Sequence, residues 1–217
     1  MEIKIDKVIT EKTPNFHIGI LECEVKVYEE KRVNNIVKEF EEQIKKNVDI
    51  MDVVNMDIII NARNAYKKYG KDPSRYRLAV ESLYRRLSKG NSLYRINNVV
   101  DLGNIISIKS RRSVAVLDYN NIVGDILIRL GTINDDFYGI GRGKLNIENI
   151  PVYVDDISPF GSPTSDTERT MITEKTTKIL LFIISFNGKK DLSDELEYTK
   201  ALYKKYAKGT EFKTKII

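Results

Sequence analysis

The chain has one cysteine, Cys23, and one histidine, His17, among its 217 residues. A single cysteine excludes an intramolecular disulfide bond, and the scarcity of Cys and His removes most ways to build a zinc or related metal site. We therefore expect no metal and no cofactor. Catalysis by a Cys/His or Ser/His arrangement would have to use His17, which lies between two apolar residues of an apparent strand. We interpret both residues as packed, structural side chains.

Long apolar segments and targeting signals are also missing from the sequence. The longest apolar run, from Ile179 to Ile184, is far shorter than the roughly 20 residues needed to cross a bilayer. The first ten residues alternate apolar and charged side chains, which is unlike a signal or transit peptide. About 41% of the residues are hydrophobic, which suffices for a globular core. These features predict a cytoplasmic protein with no membrane partner.

Basic residues are concentrated in one part of the chain. The formal net charge is +5, but residues 67–112 alone contain twelve Lys and Arg against three Asp and Glu. A concentration of one sign attracts polyanions, so the segment predicts RNA or another phosphate-rich partner, and a solvated basic face is the alternative. DNA is not expected. The basic residues that we predict to contact RNA are Arg75, Arg77, Arg85, Arg86, Lys89, Arg95, Arg111 and Arg112, with Arg142 and Arg169 from later in the chain.

Hydrophobic periodicity predicts a single α+β domain over residues 1–217, with helices packed on a layered sheet. Two expected strands come first and a series of helices follows, and then short β-like runs between residues 106 and 185. The run "ILLFIISF" is apolar on both faces and should form a central strand. The predicted segments are strands at 2–9 and 17–28, helices at 31–48 and up to Gly70, a helix capped by Asp72, a helix capped by Ser92, and a last helix at 193–206.

Two polar segments have both a structural and a functional interpretation. Asn97, Asn98, Asp101 and Asn104 lie on or near a half-buried helix, where they either brace loops or line a polar pocket. Asp118 either caps a turn or belongs to a site. The glycines of "GIGRG", including Gly141, lack the spacing of a dinucleotide-binding loop, so they serve a turn or a close approach of a ligand to the main chain.

An ordered set of motifs resembles a known family. The segments "LYRINNVVDLGNIISI", "LDYNNIVGDILIRLG", "VYVDD" and "TEKTTKILLFIISF" occur in the order found in the tRNA-editing domain of the phenylalanyl-tRNA synthetase β subunit, its paired third and fourth domains. With "YGKDPSRYR" and "PFGSPTSDTERT" included, the chain resembles the free-standing proteins that consist of that domain alone. The resemblance covers residues 69–186 best.

The resemblance implies a three-layer α/β fold with an unusual β-sandwich, and a pocket that in the synthetase hydrolyses tyrosine wrongly attached to the phenylalanine tRNA. This chain has Ala115 where the synthetase domain has a histidine, and Phe182 where it has a glutamate that contributes to recognising the tyrosine hydroxyl. The resemblance therefore does not carry the tyrosine specificity over. If Phe182 lines the pocket, the favoured group should be small or apolar at that end.

The loop "FGSPTSDTERT" corresponds to the glycine-rich loop of the editing site and is rich in hydroxyls. An aminoacyl ester is already activated, so positioning a water and stabilising the oxyanion can suffice for its hydrolysis. We predict Thr164, Ser165 and Asp166 as catalytic residues, and Arg169 either as a phosphate contact or as a buried partner of Asp166 or Glu168. The predicted substrate-binding residues are Asn98, Asp118, Gly141, Gly161, Ser162, Thr167, Glu168 and Phe182.

The resulting functional prediction is a stand-alone domain that binds the acceptor end of an aminoacyl-tRNA and hydrolyses an incorrect aminoacyl ester in trans, without ligase activity of its own. The main alternative is a non-catalytic module that keeps the fold and binds RNA or a free amino acid. A small-molecule enzyme on the same fold is the third possibility, because a fold constrains function only loosely. For the polar loop itself, the structural alternative is a tightly capped connection between strands.

Overall fold

A computed structural model describes all residues, 1–217, as seven helices and ten strands. The helices are α1 (Lys7–Lys12), α2 (Lys31–Asn47), α3 (Ile50–Asn55), α4 (Asp57–Tyr69), α5 (Ala79–Ser88), α6 (Asn98–Ser110) and α7 (Leu192–Tyr206). The strands are β1 (Ile3–Ile5), β2 (His17–Glu24), β3 (Ser113–Asp118), β4 (Ile126–Leu130), β5 (Tyr138–Gly139), β6 (Gly143–Lys144), β7 (Pro151–Val154), β8 (Pro159–Gly161), β9 (Lys178–Ser185) and β10 (Thr210–Ile216). No helix of the chain is both long and apolar enough to cross a membrane.

The strands form two four-stranded sheets and one small hairpin. The first sheet has the order β1-β4-β7-β8, with β1 parallel to β4 and the other pairs antiparallel. The second sheet is antiparallel throughout, with the order β10-β2-β9-β3. Strand β9 is flanked on both sides and buried on both faces, which explains its continuous apolar sequence. Strands β5 and β6 form the hairpin.

The second sheet lies between the helices and the first sheet. On one face of β9, Leu181 is in register with Val116, which packs on α6 at Gly103. On the opposite face, the ring of Phe182 meets the ring of Tyr153 from β7, with 5.0 Å between the centroids. The order is thus helices, sheet, sheet. This arrangement confirms the predicted α+β class and the three-layer fold with a β-sandwich.

Close packing of α6 on the second sheet depends on Gly103. A Cβ added there would lie 2.5 Å from Val116 Cγ2, far inside van der Waals contact. We expect Gly103→Ala to lower the free energy of unfolding by about 1–3 kcal/mol because the helix must move away from the strand. Urea denaturation checks this. The double variant Gly103→Ala/Val116→Ala should recover part of the loss, and equal losses in the single and double variants would contradict the packing argument.

Several predicted boundaries differ from the structure. Asp72 caps a turn, accepting a hydrogen bond from the Ser74 N–H at 2.8 Å, and α5 begins only at Ala79. The same short side-chain bond can stabilise either a turn or a helix start, so the sequence pattern does not separate them. Ser92 does not cap α6. Asn97 does so instead, and the preceding Ile96 lies outside the helix and is 61% exposed.

Both ends of the chain also differ from the sequence-based prediction. The predicted first strand, 2–9, is a three-residue strand followed by α1, whose start is capped by Asp6. Strand β10 was not predicted, and it adds an edge to the second sheet beside β2. Cys23 and His17 both lie on β2, as expected. Cys23 is buried, and burial raises the pKa of its thiol to about 12, so it stays protonated near neutral pH.

Candidate functional site

The polar loop between β8 and the short 3-10 helix Glu168–Thr170 is a tight turn that is organised by Ser162. The Ser162 hydroxyl accepts hydrogen bonds from the backbone N–H groups of Thr164 and Ser165, at 3.2 and 3.1 Å, and donates to the Ser165 carbonyl at 2.9 Å. The Thr167 hydroxyl donates to the carbonyl of Phe160 at 3.1 Å. Much of the hydroxyl content of the loop therefore holds the loop in shape.

Helices α4 and α5 and strand β3 anchor the same loop. The Thr164 hydroxyl is buried and hydrogen-bonded to the Tyr66 hydroxyl of α4 at 2.9 Å. The Pro163 carbonyl accepts from the Ala79 N–H at the start of α5, at 2.8 Å, and from the Ser113 hydroxyl at 2.9 Å. Because its hydroxyl is already bonded inside the core, Thr164 is suited to position the loop.

Asp166 and Tyr153 both lie against Gly161, and each has an unpartnered polar atom. Asp166 Oδ1 and the Tyr153 hydroxyl are both buried and have no hydrogen-bond partner. A Cβ on Gly161 would lie 2.7 Å from Asp166 Oδ1 and 2.7 Å from Tyr153 Cδ2, so only glycine lets the two side chains approach this point. Buried polar atoms without partners are uncommon and call for an explanation.

The electrostatics of this pair follow from burial. Burial raises the pKa of Asp166 to about 7, and the backbone N–H of Ser162 acts in the opposite direction. Burial also raises the pKa of Tyr153 well above its usual value, with a further contribution from the nearby Asp166 charge. At neutral pH, Asp166 is thus divided between its two protonation states, while Tyr153 remains a hydrogen-bond donor. A group that titrates near neutral pH is suited to proton transfer.

The apolar end of the site is closed by the chain itself. Phe182 is fully buried and packs edge-on against Tyr153, with Ala115 beside it in register on β3. Tyr153 therefore lies between Phe182 and the loop at Gly161. The tyrosine ring thus occupies the space next to Phe182 on this side of the sheet.

The β5–β6 hairpin lies against the outer side of the loop. Gly139 pairs with Thr167, and the Ile140 N–H donates to the Asp166 carbonyl at 3.0 Å. Gly141 has φ +64° in the hairpin turn, and both it and Arg142 are exposed. Ser165 is half-buried, and its hydroxyl lies 2.9 Å from the position of a Cβ on Gly139. The hairpin thus brings Gly141 and Arg142 to the same region as Ser165 and Asp166.

Arg169 has a different partner from either predicted one. Its guanidinium forms a bidentate ion pair with the buried carboxylate of Asp155, at 2.8 and 3.0 Å, and donates to the carbonyls of Asn121 and Ser158. The arginine is therefore a structural tie between loops, and we leave it out of the proposed RNA-binding surface. Glu168 is exposed at the start of the 3-10 helix.

Asn98 and Asp118 are engaged in the scaffold. Asn98 accepts from the Tyr28 N–H at 2.9 Å and donates to the carbonyls of Lys26 and Tyr206, both at 3.0 Å. Asp118 accepts from the Asn120 N–H at 3.0 Å and from the Thr176 hydroxyl at 2.6 Å. Neither residue contacts the loop through these bonds. These hydrogen bonds fit the structural interpretation of the sequence, in which Asn98 braces loops and Asp118 caps a turn.

The predicted RNA-binding residues divide into two groups. Arg75, Arg77, Lys89, Arg111 and Arg142 are exposed and form no ion pair. Arg86 stacks on the exposed ring of Tyr94, with its Cζ 4.0 Å from the ring centroid. The remaining arginines are paired with buried or half-buried carboxylates: Arg85 with Glu81, Arg95 with Glu41, Arg112 with Glu195 and Arg169 with Asp155.

Arg112 is the clearest exception to the predicted surface. It is only 2% exposed, and its guanidinium donates to Glu195, Ser185 and the Lys190 carbonyl at 3.0, 2.7 and 3.2 Å. We leave it out of the proposed surface, since it has no free donor directed to solvent. Its sequence context, between Arg111 and Ser113, does not distinguish it from its exposed neighbours.

Comparison with known proteins identifies the family. The model of the B3/4 domain family matches residues 61–214, so the chain belongs to this family. The resemblance to the editing-type domain of the phenylalanyl-tRNA synthetase β subunit is thereby confirmed. A solved N-terminal fragment of the phenylalanyl-tRNA synthetase β subunit from Pyrococcus horikoshii is similar, with a TM-score of 0.48 and 12% identity. The match covers 99% of this chain and 50% of that one. No curated protein sequence matches significantly.

Proposed function

We propose that this protein binds the acceptor end of an aminoacyl-tRNA and hydrolyses a wrongly attached aminoacyl ester in trans, with Asp166 as the general base. The observation that carries the proposal is the buried, unpartnered Oδ1 of Asp166, whose pKa is raised to about 7. Membership of the B3/4 domain family supports the class of substrate. A carboxylate that titrates near the working pH is an efficient proton acceptor.

The reaction needs only a positioned water and a proton acceptor. Asp166 Oδ1 takes a proton as the water oxygen bonds to the ester carbonyl carbon, and the proton then passes to the ribose oxygen when the carbon–oxygen ester bond breaks. We assign the role of holding the water to the protonated hydroxyl of Tyr153, because this buried donor has no partner and the tyrosine ring lies against Gly161. Ser162 and Thr164 contribute by fixing the loop that carries Asp166.

A panel of misacylated tRNAs tests the proposal. The wild-type protein should release amino acid from at least one misacylated tRNA at several times the uncatalysed rate and leave the correctly charged tRNA intact. Thr164→Ala should lower the rate while tRNA binding is largely retained, because Thr164 holds the loop from a buried position where its hydroxyl is bonded to Tyr66. Release at the uncatalysed rate for every tRNA on a broad panel would contradict the catalytic proposal.

Tyr153→Phe separates stability from catalysis at this site. The hydroxyl is buried without a partner, so its removal should leave the free energy of unfolding unchanged or raise it by about 1 kcal/mol, since an unsatisfied buried group costs stability. The same variant should release amino acid more slowly, because the water loses a hydrogen-bond donor. Denaturation curves and deacylation rates are the two measurements. A clear loss of stability would show that the hydroxyl has a partner in the folded protein.

We infer that the tRNA lies along α5. The start of this helix contacts the loop through the bond from Ala79 to Pro163, and Arg86 and Lys89 lie at its other end. Ten residues of α-helix span about 15 Å, so the basic end lies roughly that far from the loop. The exposed Tyr94 ring under Arg86 offers a surface on which an unpaired base can stack.

Salt-dependent binding tests this surface. Arg77→Ala and Lys89→Ala should each weaken tRNA binding and reduce the slope of log affinity against log salt by about 1, because each removes one phosphate contact. Lys213→Ala, on the exposed edge strand β10, is a matched control that should leave binding unchanged. Identical salt slopes for all three variants and the wild type would remove α5 from the RNA-binding surface.

A non-catalytic binding module is the second candidate, and one observation favours it. Tyr153 and Phe182 fill the apolar end of the site, so a large amino-acid side chain has no room there without movement of the tyrosine. This candidate predicts tRNA binding with the same salt dependence but no amino-acid release. The misacylated panel therefore separates the two candidates, and the binding assay is common to both.

A further inference from the structure

A second polar cavity lies at the start of α6, and none of its lining residues belongs to the loop around Asp166. Its volume is about 320 Å³. One wall comes from residues 27–30, just before α2, and from the first turn of α2. The rest comes from residues 95–97, from the first turn of α6 and from the turn that contains Glu174. The "RINNVVD" segment, which the sequence left between a structural and a pocket-lining role, thus has three polar side chains at this cavity: Asn97, Asn98 and Asp101.

The lining of this cavity carries uncompensated negative charge. Of its charged residues, Glu30 is paired with Arg32 at 2.7 Å, and Arg95 is paired with Glu41 at 2.9 Å. The carboxylates of Glu29, Asp101 and Glu174 form no ion pair. A cationic ligand therefore gains more favourable electrostatic energy here than an anionic or neutral one.

Asp101 supplies a specific point of attachment. The residue is only 3% exposed, and its Oδ1 accepts a hydrogen bond from the Ile96 N–H at 3.1 Å. Its other carboxylate oxygen has no hydrogen-bond partner in the protein, although the residue lines the cavity. Burial raises the pKa of Asp101, with the Ile96 N–H and the Arg95 charge acting in the opposite direction. A carboxylate oxygen of a nearly buried residue in the cavity wall, with no partner in the protein, is free to accept from a donor that the ligand provides.

The size and shape of the site favour an organic cation over a metal ion. No group of three or more His, Cys, Asp or Glu side chains in the chain converges in a way that could hold a metal. The volume is sufficient for a small organic molecule, and an ammonium group has three donors to share among carboxylate oxygens. We propose that this cavity binds a small organic molecule through a primary ammonium group held by Asp101, with Glu29 and Glu174 supplying further negative charge.

Calorimetric titration of the full chain tests this site. The probes are putrescine and spermidine as polyamines, a set of free α-amino acids, and 1,4-butanediol as the uncharged analogue of putrescine. Binding of polyamines alone, or of α-amino acids alone, identifies which source of the ammonium group the site accepts. The diol should not bind. Absence of binding by every amine at millimolar concentration, or equal binding of the diol and putrescine, would overturn the proposal.

Variants locate the binding to this cavity. Asp101→Asn keeps the acceptor for Ile96 and removes the charge, so affinity should fall roughly tenfold or more, as expected for a hydrogen bond to a charged group. Glu174→Gln, at an exposed turn, should weaken binding severalfold without affecting folding. If Asp101→Asn does not fold, the affinity of the Glu174 variant alone tests whether the ligand binds in this cavity. Glu39→Gln, an exposed position on α2 outside the cavity, is the control. Unchanged affinity in the Glu174 variant and in a folded Asp101 variant would place the ligand elsewhere.

Discussion

Asp166→Asn should lower the rate of aminoacyl-ester hydrolysis by about 100-fold or more, because a positioned general base contributes factors of this size. Asparagine has nearly the same shape as aspartate, so the close approach to Gly161 and Tyr153 is preserved while the proton acceptor is lost. tRNA affinity should change little, because Asp166 Oδ1 is buried and is not a donor to phosphate. Single-turnover deacylation on a sensitive misacylated tRNA, together with a binding titration, measures both effects.

The same substitution should stabilise the protein above neutral pH. The pKa of Asp166 is raised from 3.8 to about 7 in the folded state, so the folded protein retains a proton that the unfolded chain has lost between these values. Wild-type stability therefore falls as the pH rises through this window and is constant above it. Relative to wild type, Asp166→Asn should gain about 1–3 kcal/mol at pH 8, allowing for the partial exposure of the residue, and nothing at pH 3.5.

The opposite signs of these two effects make the prediction specific. A residue with a purely structural role would lose stability on substitution and lose activity only through unfolding. Ser165→Ala is a suitable comparison, since Ser165 is half-buried in the same loop and its hydroxyl makes one long contact of 3.4 Å. A stability loss in Asp166→Asn at pH 8, or full activity in a folded variant, would contradict the assignment of Asp166 as the base.

Arg112→Met should destabilise the protein by about 3–5 kcal/mol, the cost typical of breaking a buried ion pair by removing one partner. The guanidinium bonds to Glu195, Ser185 and the Lys190 carbonyl, so its removal leaves the largely buried carboxylate of Glu195 without its ion-pair partner. Burial raises the pKa of Glu195 even beside Arg112, and the carboxylate would be still harder to ionise alone. Urea denaturation at pH 7 measures the loss.

Arg111→Ala is the matched control for this prediction. Arg111 is the adjacent residue and is exposed, so its replacement should change stability by less than about 0.5 kcal/mol. For RNA binding the order reverses: Arg111→Ala should weaken binding, while folded Arg112→Met should bind as wild type does. A small stability change in Arg112→Met combined with weaker RNA binding would contradict this account and show that Arg112 contributes to the RNA-binding surface.

The helices and the central strand were predictable because their patterns are local. The stripe of apolar residues in 31–48 gives α2 almost to its boundaries, and the two-sided apolar run gives β9 its central place. The edges were not predictable in the same way. Strand β1 pairs in parallel with β4, more than a hundred residues away, and β10 pairs with β2, so their pairing depends on the whole fold.

In the candidate site too, features set by local sequence were predictable and features set by long-range packing were not. The loop 160–170 stands out in the sequence by composition, and in the structure Tyr66 bonds to Thr164 of that loop while the ring of Tyr153 lies against Gly161. Tyr153 and Tyr66, however, come from a strand and a helix whose patterns mark them only as core residues. Both side chains contact the loop through long-range packing, which local sequence cannot reveal. Likewise, nothing in the sequence near Arg169 identifies Asp155 as its partner.

The pH dependence of ester hydrolysis by the wild-type protein tests the proposed mechanism at its chemical step. After subtraction of the uncatalysed rate, hydrolysis of a sensitive misacylated tRNA should rise with pH through an inflection near 7, as Asp166 loses its proton, and then level off. In Asp166→Asn the residual rate should lack this inflection. A wild-type rate that does not change between pH 5 and 9, or the same inflection in the Asn variant, would contradict the mechanism.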